Sequence, residues 1–129
     1  MKFNFGISIF FLSILIGACS PKADTCISNE TAIVDSIYVP STATINQTIS
    51  IPVYYEVHNG CGVFQELQVS NLGNTYTFQP KVKYEGCQCT MVFFINKTDY
   101  SFKPIASGTY YFRYFNKNSF YSIDTLQVN

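Results

Sequence analysis

Apolar and polar side chains alternate along most of this chain in short runs, separated by turn-forming residues. From Thr48 to His58, Ile49, Ile51, Val53, Tyr55 and Val57 fall on one face and Ser50, Pro52, Tyr54, Glu56 and His58 on the other. That period of two is the mark of a strand with one buried face. Pro52 has no N–H to give to a ladder and predicts a sheet edge or a bulge at that point. Asn74 to Tyr84 alternates as well, with Tyr76, Phe78, Val82 and Tyr84 opposed by Thr75, Thr77, Gln79, Lys81 and Lys83. Further strands are predicted at Ala32 to Val39, Val63 to Ser70, Cys87 to Ile95, Gly108 to Phe115 and Phe120 to Val128. Turn chemistry divides them at Pro40-Ser41-Thr42, Asn59-Gly60-Cys61-Gly62, Asn71-Leu72-Gly73-Asn74, Glu85-Gly86 and Asn116-Lys117-Asn118, leaving Asn96 to Ser107 as a longer connection. Seven short antiparallel strands fit an all-β fold of two packed sheets.

The first twenty residues break this rhythm. Lys2 precedes an apolar run from Gly6 to Ile16 that is interrupted by Ser8 and Ser13. Its length matches the apolar core of an export signal, roughly 7 to 15 residues, and falls short of the roughly 20 needed to span a bilayer. Ile16-Gly17-Ala18-Cys19 then resembles the lipobox of bacterial lipoproteins. The resemblance implies that residues 1–18 are removed and that Cys19 becomes a new N-terminus bearing acyl chains on its thiol and amine. Residues 19–30 would form the lipidated N-terminus and a short tether, and residues 31–129 the sandwich. Ser20 in place of Asp favours the outer membrane under the lipoprotein sorting rule. Ser20-Pro21-Lys22-Ala23-Asp24 has one acid, whereas surface-exported lipoproteins of the Bacteroidota resemble one another in an acidic run. The periplasmic face is therefore favoured, with the cell surface as the alternative.

Composition narrows the partners. The whole chain carries 8 basic and 8 acidic residues, and loss of Lys2 with the signal leaves 7 against 8, a net charge near −1. Such a domain has no electrostatic claim on nucleic acid. The aromatic share of 17%, with 10 Tyr and 12 Phe but no Trp, suits a pleated, half-buried surface. Pro104-Ile105-Ala106-Ser107-Gly108-Thr109-Tyr110, followed by Tyr111-Phe112, resembles the Gly-x-Tyr start of strand F in immunoglobulin and fibronectin type III domains. The resemblance gives Tyr110 the role of the corner tyrosine, although Phe112 stands where the antibody-type cysteine would be and no core Trp is present. The mature chain resembles the small immunoglobulin-like lipoproteins of the Bacteroidota, which implies a seven-stranded immunoglobulin-like β-sandwich.

Candidate chemistry is sparse. There is one His, no Gly-x-Ser-x-Gly, no phosphate loop and no His-Glu-x-x-His, so nothing pairs a nucleophile with a base and no catalytic residue or cofactor is expected. Glu56, Glu66 and Glu85 fall on predicted outward faces or turns. The expected role is structural or interactive at the envelope, with a protein or a glycan as partner. Tyr54, Tyr111 and Phe115 are aromatics that alternation places away from the main apolar faces, which is what a glycan-binding surface needs. Asp35-Ser36-Ile37 and Asp124-Thr125-Leu126 resemble the triplet that Bacteroidota O-glycosylate, which makes Ser36 and Thr125 candidate modification sites.

Cys26, Cys61, Cys87 and Cys89 remain after Cys19, an even number in an exported chain, and read as disulfides. Alternating strand directions gather all four at one pole. Cys87 and Cys89, two apart on a predicted strand, have nearly parallel Cβ vectors and are poorly placed to bridge each other. Two connectivities stay open: Cys26–Cys87 with Cys61–Cys89, which is preferred because Cys89 lies deeper, or the crossed pairing. The rival is a metal site built from His58, Cys61, Cys87 and Cys89, a nitrogen and three sulfurs at a spacing that is not a standard zinc signature.

Overall fold

The chain's cleanest alternation, Ile49–Val57, becomes strand β4, and all five of its apolar residues are buried. It is the middle strand of a three-stranded sheet, antiparallel to β2 (Val34–Ile37) on one side and to β7 (Phe94–Phe102) on the other. The structure, a computed structural model, describes residues 26–118 and 120–129. The expectations for Met1 to Ala18 and for Cys19 lie outside them.

The second sheet is organised on β6 (Thr75–Glu85). Along its length β6 pairs with β5 (Gly62–Leu72), its hairpin partner. Its other edge is shared by two strands. β1 (Ile27–Thr31) runs antiparallel against Lys81 to Glu85, and β8 (Gly108–Phe115) runs parallel against Thr75 to Phe78. Beyond β8 lie β9 (Tyr121–Val128), antiparallel to it, and β3 (Thr42–Ala43), parallel to β9. The fold is all-β in two sheets. Nine strands form among the described residues, and two of the pairings are parallel, so the expectation of seven antiparallel strands is corrected.

Each departure has a local cause. All of β1 but its last residue falls in the segment assigned to the tether, and its five residues are all exposed, so no apolar alternation marks it. It is held by its ladder to β6 and by the Cys26–Cys87 bridge just before it. β3 is two residues long and lies where a turn is predicted. The fifth predicted strand, Cys87 to Ile95, is displaced: residues 86–93 are loop and the strand is Phe94–Phe102, within the stretch taken as a connection. On β7 the inward set includes Asn96 and Thr98 beside Phe94, Tyr100 and Phe102, which hides the apolar period. Asn96 is accommodated because it hydrogen-bonds the Tyr55 hydroxyl across the pair. Pro52 lies on a central strand instead of an edge, and the irregularity is carried by β2, between Val34 and Ser36.

The facing sides of the two sheets enclose a core in two parts. The larger joins Val34, Ile51 and Val53 with Phe78, Phe112, Leu126 and Val128; the smaller joins Tyr55, Val57, Val82 and Tyr84 near the cysteine pole. Aromatic side chains fill much of it, as in the edge-on contact of Phe102 with Phe112 at 5.2 Å. At the turn before β8, the Tyr110 hydroxyl donates to the Ala106 carbonyl at 3.0 Å and ties the strand to its own approach loop.

Candidate functional site

The four cysteines meet at one pole, as strand direction requires, and they meet as two disulfides. Cys26 bonds Cys87 with Cα atoms 4.9 Å apart, and Cys61 bonds Cys89 with Cα atoms 5.5 Å apart. Cys26 leads into β1 and Cys61 into β5, the two strands that flank β6 at this end. Both bridges therefore converge on the loop that leaves β6. Gly86 has φ 140° and brings its backbone against the second bridge; a Cβ there would lie 3.0 Å from Cys61 Sγ, a position open to glycine alone. The metal alternative is overturned because no thiolate is left to ligate. Among the described residues no group of His, Cys, Asp and Glu is placed to hold a metal ion.

His58, the remaining member of that set, is instead part of a polar contact under the same loop. Its backbone N–H donates to Tyr84 Oη at 3.3 Å, and the Tyr84 hydroxyl lies 2.9 Å from His58 Nδ1. A hydroxyl can give its proton and accept at once, so one oxygen serves both the His58 backbone N–H and its ring nitrogen. Nε2 faces Glu30 Oε2 at 3.7 Å. Burial pushes the Tyr84 hydroxyl above its ordinary value near 10.0, the His58 backbone bond opposes this, and the Glu30 charge adds to it. These residues line a cleft of about 410 Å³ together with Glu56, Met91 and Phe93. The hydroxyl at the end of the contact belongs to the core, since Tyr84 is buried. The arrangement clamps the end of β4 to β6.

A different surface exposes aromatic side chains in register. On the outer face of the larger sheet, Tyr111, Arg113 and Phe115 project from β8, opposite Thr125, Ile123 and Tyr121 of β9. Tyr111 and Phe115 are 41% and 39% exposed and Tyr121 55%. Phe115 and Tyr121 meet edge-on at 5.6 Å, and the Arg113 guanidinium lies 4.6 Å from the Tyr121 ring centre, within cation–π range. Arg113 Nε donates to Thr77 Oγ1 at 3.2 Å. Among the described residues no carboxylate comes within 4 Å of this guanidinium. Shallow depressions flank it, one of about 330 Å³ against Gln79, Phe115 and Tyr121, the other of about 400 Å³ against Ser70, Thr75 and Thr77.

Of the aromatics singled out in the sequence, Tyr111 and Phe115 share this face, whereas Tyr54 lies half-buried on β4 in the other sheet. Sequence reasoning missed Arg113 and Tyr121. Tyr121 and Ile123 do alternate with Ser122 and Asp124, but with polar residues turned inward the period gives no sign of which face is wet. The acids Glu66 and Glu85 are exposed, and Glu56 is half-buried with Lys117 Nζ 3.9 Å from it. Ser36 is half-buried on β2 and donates to Asp35 at 3.1 Å, while Thr125 is exposed directly opposite Tyr111. No protein-family model matches this chain, and no match is found among the curated proteins or the solved structures.

Proposed function

We propose that this chain is a lipid-anchored protein of the cell envelope that works by holding a partner, without catalysis, through the outer face of its larger sheet. The observation that carries this reading is the cluster of Tyr111, Phe115 and Tyr121 around an Arg113 that has no carboxylate partner among the described residues. Exposed aromatic side chains in register and an uncompensated cation are groups that a ligand would cover, and neither contributes to the core. The signal and the Ile16-Gly17-Ala18-Cys19 motif support attachment at Cys19 in the outer membrane, with the periplasmic face favoured. An immunoglobulin-like relationship is supported by the Tyr110 to Ala106 hydrogen bond, which has the form of a tyrosine corner. The parallel pairing of β6 with β8 departs from an all-antiparallel sandwich.

Within this reading a glycan is the ligand class that the face favours. Sugar rings stack on flat aromatic faces, and Gln79, Thr75 and Ser70 supply hydrogen-bonding groups along the same rows. A saturating array of envelope glycans, probed with the protein and with Phe115→Ala/Tyr121→Ala, tests it. Signal that the double variant loses, at unchanged thermal stability, is the expected result. An array with no signal for the unaltered protein removes the glycan reading. Crosslinking in the native envelope would then ask which protein, if any, the same variant fails to capture.

A further inference from the structure

The loop that leaves β6 exposes its apolar residues. Met91 is 79% and Phe93 72% exposed, with Val92 exposed between them. A loop normally holds its shape by burying such side chains, and here covalent bonds hold it in their place. Cys87 and Cys89 fix it to β1 and β5, and the Gly60 N–H donates to the Thr90 carbonyl at 2.9 Å. The result is an apolar tip on a rigid base. Ile27 and Val63 are exposed at the same end, paired with Glu85 and Lys83. Those two charges close on each other at 2.7 Å.

The position of this tip relative to the N-terminus says what covers it. Cys26, bonded to the loop through Cys87, is seven residues after Cys19 in the sequence. Even fully extended, that segment reaches about 25 Å. An acyl chain on Cys19 would therefore hold the cysteine pole within about 25 Å of the bilayer surface. We propose that this pole docks on the membrane, with Met91, Val92 and Phe93 inserted at the headgroup and acyl-chain boundary as a second attachment beside the Cys19 lipid. This rests on the lipid anchor proposed above. Docking at this end would stand the strands away from the bilayer and turn the Arg113 face sideways, open to the compartment.

The chain has no Trp, so Phe93→Trp creates a single reporter, and Leu72→Trp, 86% exposed at the opposite end of β5, is its control. The acylated full-length product is reconstituted in vesicles of phosphatidylethanolamine and phosphatidylglycerol with dibrominated acyl chains. Intact mass establishes acylation first; a chain found without it is coupled through the Cys19 thiol to a maleimide lipid, so that failure of the anchor and failure of docking are read separately. The expected result is a blue-shifted emission at position 93 with quenching at least about twofold stronger than at position 72. Equal quenching at the two positions overturns the proposal, whichever route attached the lipid.

Discussion

Tyr84 and His58 are joined by two hydrogen bonds and a stacked contact, with ring centres 4.2 Å apart, so that the last turn of chain after β4 is fastened to β6. Tyr84→Phe keeps the stacking and removes both hydrogen bonds, leaving the His58 N–H and Nδ1 to find water. Each net hydrogen bond contributes about 1 kcal/mol, so losing the two should lower Tm by roughly 10 °C. Differential scanning calorimetry of the two proteins checks it.

High pH should unfold the protein through its tyrosines. Burial raises the hydroxyls of Tyr55, Tyr84, Tyr100 and Tyr114 above their ordinary value of 10.0. A raised folded-state value means that the native form holds its proton longer than the unfolded chain does. Stability is then fully present below pH 10 and falls as pH rises beyond it. Tm measured from pH 8 upward should stay level to about pH 10 and then drop, with tyrosinate absorbance rising together with unfolding.

Asp124 offers the same test at the other end of the scale. Burial raises its carboxyl above 3.8, so the native state favours the protonated form and stability declines as pH rises from that value upward. Asp124→Asn, neutral at every pH, should raise Tm at pH 7, and the gain should vanish below about pH 3.8. A gain that persists at low pH would trace to packing instead of charge.

The Cys26–Cys87 and Cys61–Cys89 bridges close loops with sequence separations of 61 and 28. Chain-entropy reasoning assigns about 4 kcal/mol to each. Denaturant unfolding of Cys61→Ser/Cys89→Ser should show a loss of about that size, with Cys26–Cys87 still found by non-reducing peptide mapping. Mapping that returns Cys26–Cys89 in the unaltered protein would contradict the geometry described.

What the sequence discloses depends on whether a residue's task is visible to its neighbours in the chain. Ile49 to Val57 and Tyr76 to Tyr84 have one wet and one buried side, and periodicity alone places them. The convergence of the cysteines follows from strand direction, which survives the displacement of β7 because the loop before it leaves β6 at the same end. β1 and β7 are hidden for opposite reasons. β1 buries nothing, and β7 turns Asn96 inward, satisfied by Tyr55 on β4, a strand far from it in the chain. Arg113 and Tyr121 are invisible as a site because what makes them one is the pairing of β8 with β9 and β6, which brings Thr77 and Tyr121 to the guanidinium.

The first bridge also decides how the fold bears load. β1 is an edge ladder of five exposed residues, and a pull on the N-terminus would peel it from β6 one hydrogen bond at a time, starting at Ile27. Cys26 stands one residue before that starting point and is covalently joined to Cys87. Tension from the N-terminus therefore crosses a sulfur–sulfur bond into the loop after β6 and, through Cys89 and Cys61, into β5. The β1 ladder is bypassed, and under oxidising conditions its unzipping is disconnected from any force applied at the N-terminus.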